Sequence, residues 1–182
     1  TEEVTGVDLV QAQIALAAGR TLRDIGLDPA APPAVLGFAV QWRINAETLD
    51  AQGNATPGSG TLSRFDLPAG PGVRVDTHGA AGATPSPHYD TLLAKLIVHT
   101  RSPRFADALR RSQRALAECR IEGVATNLAL LQALAARPEM ESQQVHTRWL
   151  ESALPELLFA IRQIAKNDRC TSTLGLKDAD RS

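Results

Sequence analysis

The sequence predicts an α+β fold: an N-terminal helix, a small antiparallel sheet and then a set of packed C-terminal helices. Apolar residues recur at helical spacing near the start of the chain, alternate with polar residues around position 40, and return to helical spacing from Phe105 onward. The strand patterns lie together between the two helical regions. This order is typical of α+β architecture and not of repeated βαβ units.

The first element is predicted to be an amphipathic helix. Its apolar residues lie at helical spacing: Val7, Val10, Ile14 and Ala17. Gly19 follows as a suitable C-terminal stop. Residues 27–33 contain three prolines, which remove backbone donors and disfavour helix in the residues before them. We interpret that stretch as a connector.

The strongest strand pattern covers residues 37–47. Apolar and polar side chains alternate there, with Phe38, Val40, Trp42 and Ile44 on one side and Gln41, Arg43 and Asn45 on the other. The pattern predicts a strand with one polar face. Residues 61–67 and 73–78 are further strand candidates, and the tight link between them favours an antiparallel sheet.

Residues 92–100 form a short apolar run that fits either a strand or a buried helix by periodicity alone. Two adjacent β-branched residues, Ile97 and Val98, favour the strand.

The clearest helix is predicted after Ser102, with Ser102 as the N-cap and Pro103 at the first helical position. Its apolar stripe is Phe105, Ala108, Leu109, Ser112, Ala115, Leu116 and Cys119. On the opposite face lie Arg110, Arg111 and Arg114, which we interpret as a solvated basic face in preference to a phosphate site.

Further helices are predicted around Leu128, Leu131 and Leu134, at residues 146–152 and at residues 156–167. Residues 168–182 are polar, and we expect them to be frayed.

Composition excludes several function classes. Lys and Arg total 19 against 20 for Asp and Glu, so no overall field favours nucleic acid or an anionic membrane. Cys119 and Cys170 lack partners at zinc-ligand spacing, so no metal site is predicted and reduced thiols in the cytoplasm fit best. No apolar run is long enough to span a membrane. The start at Thr1, almost directly before a helix, suggests a piece of a longer polypeptide.

Composition and periodicity alone indicate no reaction, but the order of several sequence blocks does. These blocks are Thr1-Glu2-Glu3-Val4-Thr5-Gly6-Val7-Asp8-Leu9-Val10, Arg43-Ile44-Asn45-Ala46-Glu47, Gly72-Val73-Arg74-Val75-Asp76, Tyr89-Asp90-Thr91-Leu92-Leu93-Ala94-Lys95-Leu96-Ile97 and Gly123-Val124-Ala125-Thr126-Asn127. In this order they resemble the C-terminal part of the biotin carboxylase domain of a biotin-dependent acyl-CoA carboxylase. The likeness covers residues 1–151.

The resemblance implies an ATP-grasp ligase that uses ATP, with Mg²⁺ or Mn²⁺, and bicarbonate to carboxylate biotin held on a carrier domain. It implies three regions: residues 1–34 as the end of the ATP-grasp portion and a connector, residues 35–151 as the C-terminal domain, and residues 152–182 as a helix and polar linker. The partners implied are the remainder of the biotin carboxylase domain, the carrier domain and a carboxyltransferase domain, in a homo-oligomer. The metal-binding carboxylates and the base of the family stand before the position matched by Thr1, so we expect this chain to be inactive alone.

The resemblance assigns Arg43 to the arginine that faces biotin, where a fixed guanidinium stabilises developing negative charge. The alternative is an arginine at a sheet edge, paired with Glu47 or Asp76. For Arg74 the alternatives are a phosphate contact, which would make it cofactor-binding, or a subunit interface. Asp90 and Lys95 are predicted to form an ion pair that braces the sheet.

Two other function classes stay open at this point. One is a non-catalytic assembly or dimerisation module, in which Arg43 has no chemical role. The other is the end domain of another ATP-grasp ligase, such as pyruvate or urea carboxylase. The residues before two of the matching blocks, Gln41-Trp42 and His88, differ from those of many relatives. The glycine-rich loop at residues 53–60, together with Gly70-Pro71-Gly72, resembles the corresponding segments of the single-chain acyl-CoA carboxylases.

Overall fold

The computed structural model describes residues 1–50, 52–86 and 88–167. Its helices are α1 Glu2–Thr5, α2 Leu9–Ala17, α3 Phe105–Glu118, α4 Leu128–Ala135, α5 Pro138–Glu141 and α6 Trp149–Asn167, with a 3-10 turn at Arg23–Ile25. Its strands are β1 Phe38–Asn45, β2 Glu47–Leu49, β3 Ala55–Pro57, β4 Arg64–Asp66, β5 Val73–Thr77, β6 Leu92–Thr100 and β7 Arg120–Glu122. The polar tail predicted at residues 168–182, with Cys170, lies outside the described residues.

The central element is a three-stranded antiparallel sheet in the order β1-β6-β5. The predicted strand at residues 92–100 is confirmed and lies in the middle of this sheet. In register, Trp42 of β1 and Val75 of β5 both lie opposite Leu96 of β6. Trp42, Ile44 and Leu96 are buried, so this side of the sheet faces the core.

Strand β4 does not extend this sheet, as the sequence had suggested, but pairs with β7 in a separate two-stranded ladder. Phe65 lies opposite Ile121, which is buried, and Phe65 itself packs against the core. The pairing therefore buries an apolar residue that follows α3, where no strand had been predicted. A second short ladder joins β2 to β3.

Helix α3 covers the core side of the sheet, and its predicted stripe is confirmed. The buried residues of α3 are Ala108, Leu109, Ser112, Ala115 and Leu116. Helix α4 packs against α3, and two glutamines connect the helix ends: Gln113 donates to the carbonyl of Ala135, and Gln132 donates to that of Leu116. These bonds satisfy carbonyl groups that the last turn of a helix leaves without partners.

Helix α3 begins two residues later than predicted, with Arg104 and not Ser102 at the N-cap. The Ser102 hydroxyl bonds to the carboxylate of Asp107, within the first turn, and accepts from the backbone N–H of Arg104. The bond from Ser102, together with Arg110 and Arg104, lowers the pKa of Asp107 to about 2. Ser102 therefore supports the helix start from outside the helix.

The two helices predicted at residues 146–152 and 156–167 are one continuous helix, α6, with Pro155 inside it. Pro155 is exposed, while Ala153, Leu157 and Ile161 are buried. An interior proline costs a backbone hydrogen bond. Apolar residues of α6 are buried both before and after Pro155, and the helix packs against α4. This burial offsets the cost of the proline. The helix also runs across the predicted domain boundary between residues 151 and 152.

Helix α2 is present as predicted, with Asp8 accepting from the backbone N–H of Gln11 and Gly19 in the left-handed conformation. Its apolar side chains, however, are not covered by the described residues: Leu9, Val10 and Ile14 are 51%, 65% and 64% exposed. The predicted burial of an amphipathic face is therefore not seen. The N-terminal segment joins the sheet through α1 and through a bond from the Leu36 N–H to the Val4 carbonyl.

Two glycines with nearly the same backbone conformation allow a steric contact to be tested. Gly123 has φ +88° and Gly82 has φ +87°, but a Cβ at Gly123 would collide with the Thr61 carbonyl oxygen, whereas one at Gly82 meets nothing within 4 Å. We expect Gly82→Ala to lower the free energy of unfolding by about 1 kcal/mol through left-handed strain alone. Gly123→Ala should lower it by about 3 kcal/mol because overpacking adds to the strain.

Urea unfolding of both variants beside the unchanged chain measures the difference. Equal losses for the two alanine variants would show that the link between β7 and residues 61–63 is not closely packed.

Candidate functional site

The side of the central sheet away from α3 forms a polar face, which we define as Gln41, Arg43, Arg74, Asp76, Lys95 and Ile97. The register places Arg43 on β1 and Asp76 on β5 opposite Lys95 on β6. Because side chains alternate along a strand, these residues project from the face opposite Trp42 and Leu96. The polar face predicted for residues 37–47 is therefore one edge of a larger charged surface.

Arg43 is oriented by a single charged partner. Its Nη2 donates to Oδ2 of Asp90 at 2.9 Å, and the two side chains are 45% and 64% exposed. No other hydrogen bond joins the Arg43 guanidinium to the described residues. The remaining N–H groups are therefore available to an acceptor such as a carbonyl or an oxyanion.

Asp90 holds both the arginine and the turn that leads into β6. Its Oδ1 accepts from the backbone N–H of Leu92 at 3.0 Å, while Oδ2 bonds to Arg43. The predicted Asp90–Lys95 pair is wrong, since the Asp90 carboxylate turns towards Arg43. The reason is geometric: Asp90 lies in the turn before the strand, and Lys95 projects from within it.

Asn127 fixes the backbone beneath Arg43, and sequence reasoning assigned it no role. Its side-chain amide donates to the Arg43 carbonyl at 3.1 Å, and its Oδ1 accepts from the Asn45 N–H at 2.9 Å. Asn127 is buried at the start of α4. Asn127 is the last residue of the matching sequence block at residues 123–127, and this position could have indicated a role.

Neither Glu47 nor Asp76 pairs with Arg43, so the sheet-edge alternative is not the arrangement seen. Glu47 accepts from the Asn45 amide and from the Thr91 hydroxyl, both at 3.3 Å. Asp76 is bonded through both oxygens to Arg74.

Arg74 lies at the centre of a carboxylate cluster. It bonds to Asp76 at 2.8 Å and 3.2 Å, to Glu2 at 2.8 Å and to Glu3 at 3.4 Å. The hydrogen bonds that Arg74 donates to Asp76 and then to Glu2 raise its pKa above the ordinary value. Arg74 thus ties the N-terminal segment to the sheet. Its role in cofactor binding stays a prediction.

The described cysteine and histidine side chains and the remaining carboxylates offer no second reactive centre or metal site. Burial raises the pKa of the Cys119 thiol to about 11, so Cys119 is not an activated nucleophile. His99 bonds to the Leu36 carbonyl. Across residues 1–50, 52–86 and 88–167, no three His, Cys, Asp or Glu side chains are grouped to hold a metal ion. No helix in this part of the chain has the length and apolar character needed to cross a membrane.

All the polar-face residues fall within a segment, residues 41–152, that matches the family model of the biotin carboxylase C-terminal domain. This chain belongs to that family. The α+β fold and the resemblance predicted from the sequence blocks are confirmed.

Curated relatives come from two kinds of carboxylase. The chain is 40% identical over 156 residues to the alpha3 subunit of a biotin-dependent acyl-coenzyme A carboxylase from Mycobacterium leprae, covering 84% of this chain and 25% of that protein. It is 42% identical over 154 residues to the pyruvate carboxylase of Pichia angusta, covering 83% of this chain and 12% of that protein. The chain thus spans a quarter or less of the length of these relatives.

Solved structures give the same fold. The biotin carboxylase domain of a single-chain bacterial carboxylase matches with a TM-score of 0.78 and 47% identity, over 92% of this chain and 36% of that one. A single-chain, multi-domain long-chain acyl-CoA carboxylase matches with a TM-score of 0.82 and 42% identity, over 87% and 17%.

The ion pair with Asp90 should orient the Arg43 guanidinium but add little to the free energy of unfolding. We expect Asp90→Asn, which keeps an acceptor for the Leu92 N–H, to lower the free energy of unfolding by less than about 1 kcal/mol, because exposed ion pairs are weak. The variant should increase the mobility of the Arg43 guanidinium, measured by ¹⁵N relaxation of its Nε.

The control is Asp66→Asn, which weakens a different exposed pair with Arg64 and should leave Arg43 unchanged. An Arg43 signal that stays equally rigid in Asp90→Asn would contradict the role given to Asp90.

Proposed function

We propose that this chain forms one wall of the biotin carboxylation site in a biotin-dependent carboxylase, with Arg43 as its catalytic and biotin-binding residue. The observation that carries the proposal is that the Arg43 guanidinium is held at one nitrogen and keeps its other donors for a ligand. One guanidinium nitrogen is held by Asp90, and no other bond occupies the group among the described residues. Arg43 also lies in the segment that matches the biotin carboxylase family.

The exposed guanidinium fits the ureido oxygen of biotin, because both are planar and a carbonyl oxygen accepts two N–H donors. Biotin, when bound, supplies the ureido nitrogen that receives the carboxyl group. Arg43 would hold the ureido oxygen, and its fixed guanidinium would stabilise negative charge that develops there without having to reorganise. Asp90 and Asn127 supply that fixation from the side chain and from the backbone.

ATP and its metal ion do not fit the described residues, because no three of their carboxylates are grouped so that they could hold Mg²⁺ or Mn²⁺, and those around Arg74 are paired with its guanidinium. We assign nucleotide and metal binding to parts of the carboxylase that this chain does not contain. In support, a relative described as the biotin carboxylase domain of a 2-oxoglutarate carboxylase, in complex with MgADP and bicarbonate, shares only 32% of its length with this chain.

The partners we propose are the remainder of the biotin carboxylase domain, the carrier domain with its biotin, and a carboxyltransferase domain, in a cytoplasmic homo-oligomer. The division into regions 1–34, 35–151 and 152–182 stays a proposal, and helix α6 continues across its last boundary. An acyl-CoA acceptor is favoured by the match to the long-chain acyl-CoA carboxylase, at a TM-score of 0.82.

The central experiment is Arg43→Ala in a carboxylase that contains this chain. We expect carboxylation of free biotin to lose roughly 2.7–4 kcal/mol of transition-state stabilisation, the range for removing one oriented donor, which is about a hundredfold or more in rate. ATP affinity should change little. Arg43→Lys should restore only part of the rate, because an ammonium lacks the planar fork.

Arg64→Ala is the matched control, since Arg64 is also half exposed and ion-paired. It should keep the normal rate. A lower melting temperature with a near-normal rate in Arg43→Ala would make Arg43 a structural residue and leave the assembly-module alternative.

The assignment of ATP to other parts of the carboxylase gives a second prediction. The isolated 182-residue chain should neither bind MgATP nor hydrolyse it, because the described residues offer no metal-binding carboxylate cluster. Calorimetric titration tests this, and micromolar binding to the chain alone would overturn the assignment.

A further inference from the structure

Helix α6 runs beyond the segment that matches the biotin carboxylase family. The match ends at residue 152, whereas α6 continues to Asn167. The described buried residues of α6 nevertheless all follow that limit; they are Ala153, Leu157, Leu158 and Ile161. Because burial of apolar side chains stabilises contact, the part of α6 after residue 152 is attached to the domain and is not a free linker.

Two further side chains of this part of α6 connect it to separate parts of the domain. Glu156 accepts from Arg137 at 2.9 Å, which joins α6 to the start of α5. Leu154 packs against Gly53 in the turn between β2 and β3, where a Cβ built on Gly53 would lie 2.0 Å from Leu154 Cδ2. Helix α6 therefore contacts the β2–β3 hairpin in addition to α4 and α5.

The connections through α4 and through the hairpin both end at Asn45, two residues after Arg43. At the start of α4, Oδ1 of Asn127 accepts from the Asn45 backbone N–H at 2.9 Å. At the start of β2, Glu47 accepts from the Asn45 side-chain amide at 3.3 Å.

Strand β1 needs this outside support at Asn45. Its pairing with β6 shifts register between Ile44 and Asn45, and such an irregularity disrupts the ladder locally and bends the strand. The Asn127 side chain acts as a partner on the outer edge of β1, donating to the Arg43 carbonyl at 3.1 Å and accepting from Asn45. The position of Asn127 therefore sets the backbone at Arg43.

We propose that α6 beyond residue 152 is a positioning segment for Arg43, which acts through α4 with Asn127 and through the β2–β3 hairpin. In the carboxylation site proposed above, on which this role rests, a displacement of α6 shifts the Arg43 backbone without any contact between α6 and biotin or ATP. Since α6 leads from the family segment towards residues 168–182, a domain that pulls on this end of the helix regulates carboxylation.

Native-state hydrogen exchange of the full chain tests the connection. The readout is the exchange rate of the Asn45 N–H divided by that of the His99 N–H, which bonds to the Gly72 carbonyl near the other end of the β1–β6 ladder. This ratio separates local opening from global unfolding, which exposes both amides. Leu157→Ala should raise the ratio roughly tenfold, because the cavity loosens α6 and with it Asn127.

Leu109→Ala is the matched control for the buried leucine. Leu109 is 2% exposed and Leu157 3%, but Leu109 lies on α3. Leu109→Ala should leave the Asn45 to His99 ratio unchanged.

Two exposed glutamates of α6 give a milder pair of variants that keeps the core intact. Glu156 and Glu151 are both 69% exposed, but Glu156 bonds to Arg137 in another element, whereas Glu151 bonds to the nearby Arg148. Glu156→Gln should raise the exchange ratio about twofold, the effect of weakening one exposed ion pair, and Glu151→Gln should not.

The effect on the site is measured in a carboxylase that contains this chain, at a temperature where every variant is folded. Leu157→Ala should slow carboxylation of free biotin roughly tenfold, because a small misplacement of a catalytic group lowers the rate, with little change in ATP affinity. Leu157→Met, which conserves volume, should restore most of the rate. Leu109→Ala should carboxylate at a near-normal rate.

An exchange ratio that is unchanged in Leu157→Ala and Glu156→Gln, or raised equally in Leu109→Ala, would overturn the proposal. A normal carboxylation rate in Leu157→Ala, where Arg43→Ala is slow, would also overturn it. The proposed function fails separately: a raised ratio in Leu157→Ala with normal carboxylation by Arg43→Ala would retain the support of β1 by α6 and remove the catalytic role of Arg43.

Discussion

The pairing of β6 with a strand on each side is the constraint on which the rest of the structure depends. Since side chains alternate along an extended strand, Leu96 and Val98 must face one side and Lys95 and Ile97 the other. Burial of the first set under α3 fixes the register, because a slip of one residue would exchange the two faces. The hydrophobic core thereby positions the charged face, although no charged residue of that face enters the core.

Arg43 shows how such positioning works in three stages. The register places its Cα opposite Lys95, the amide of Asn127 holds its carbonyl, and Asp90 holds its guanidinium. The strand register and the bond from Asn127, which is itself buried, fix the Arg43 backbone. The bond to Asp90 fixes the exposed side chain of Arg43. An arginine held in this way has a fixed origin and a directed fork, yet it keeps donors for a ligand.

The sequence predicted the features that are local in the chain. The alternation around Trp42, the stripe from Phe105 to Cys119 and the apolar run at residues 92–100 each depend on periodicity within one element, and each was confirmed. Contacts between distant segments were missed. The Arg43–Asp90 and Asn45–Asn127 bonds join residues 47 and 82 positions apart. Strand β7 has only three residues, too few to show alternation.

The ion pairs of the polar face contribute little to the free energy of folding. Their side chains are therefore available for a functional role. Its ion pairs leave the arginine and carboxylate side chains 28–64% exposed, and pairs of this kind contribute about 0–1 kcal/mol each. Burial of residues such as Ile44, Leu96 and Leu116 supplies the stability instead. The charged side chains of this face can therefore be substituted without disturbing the core.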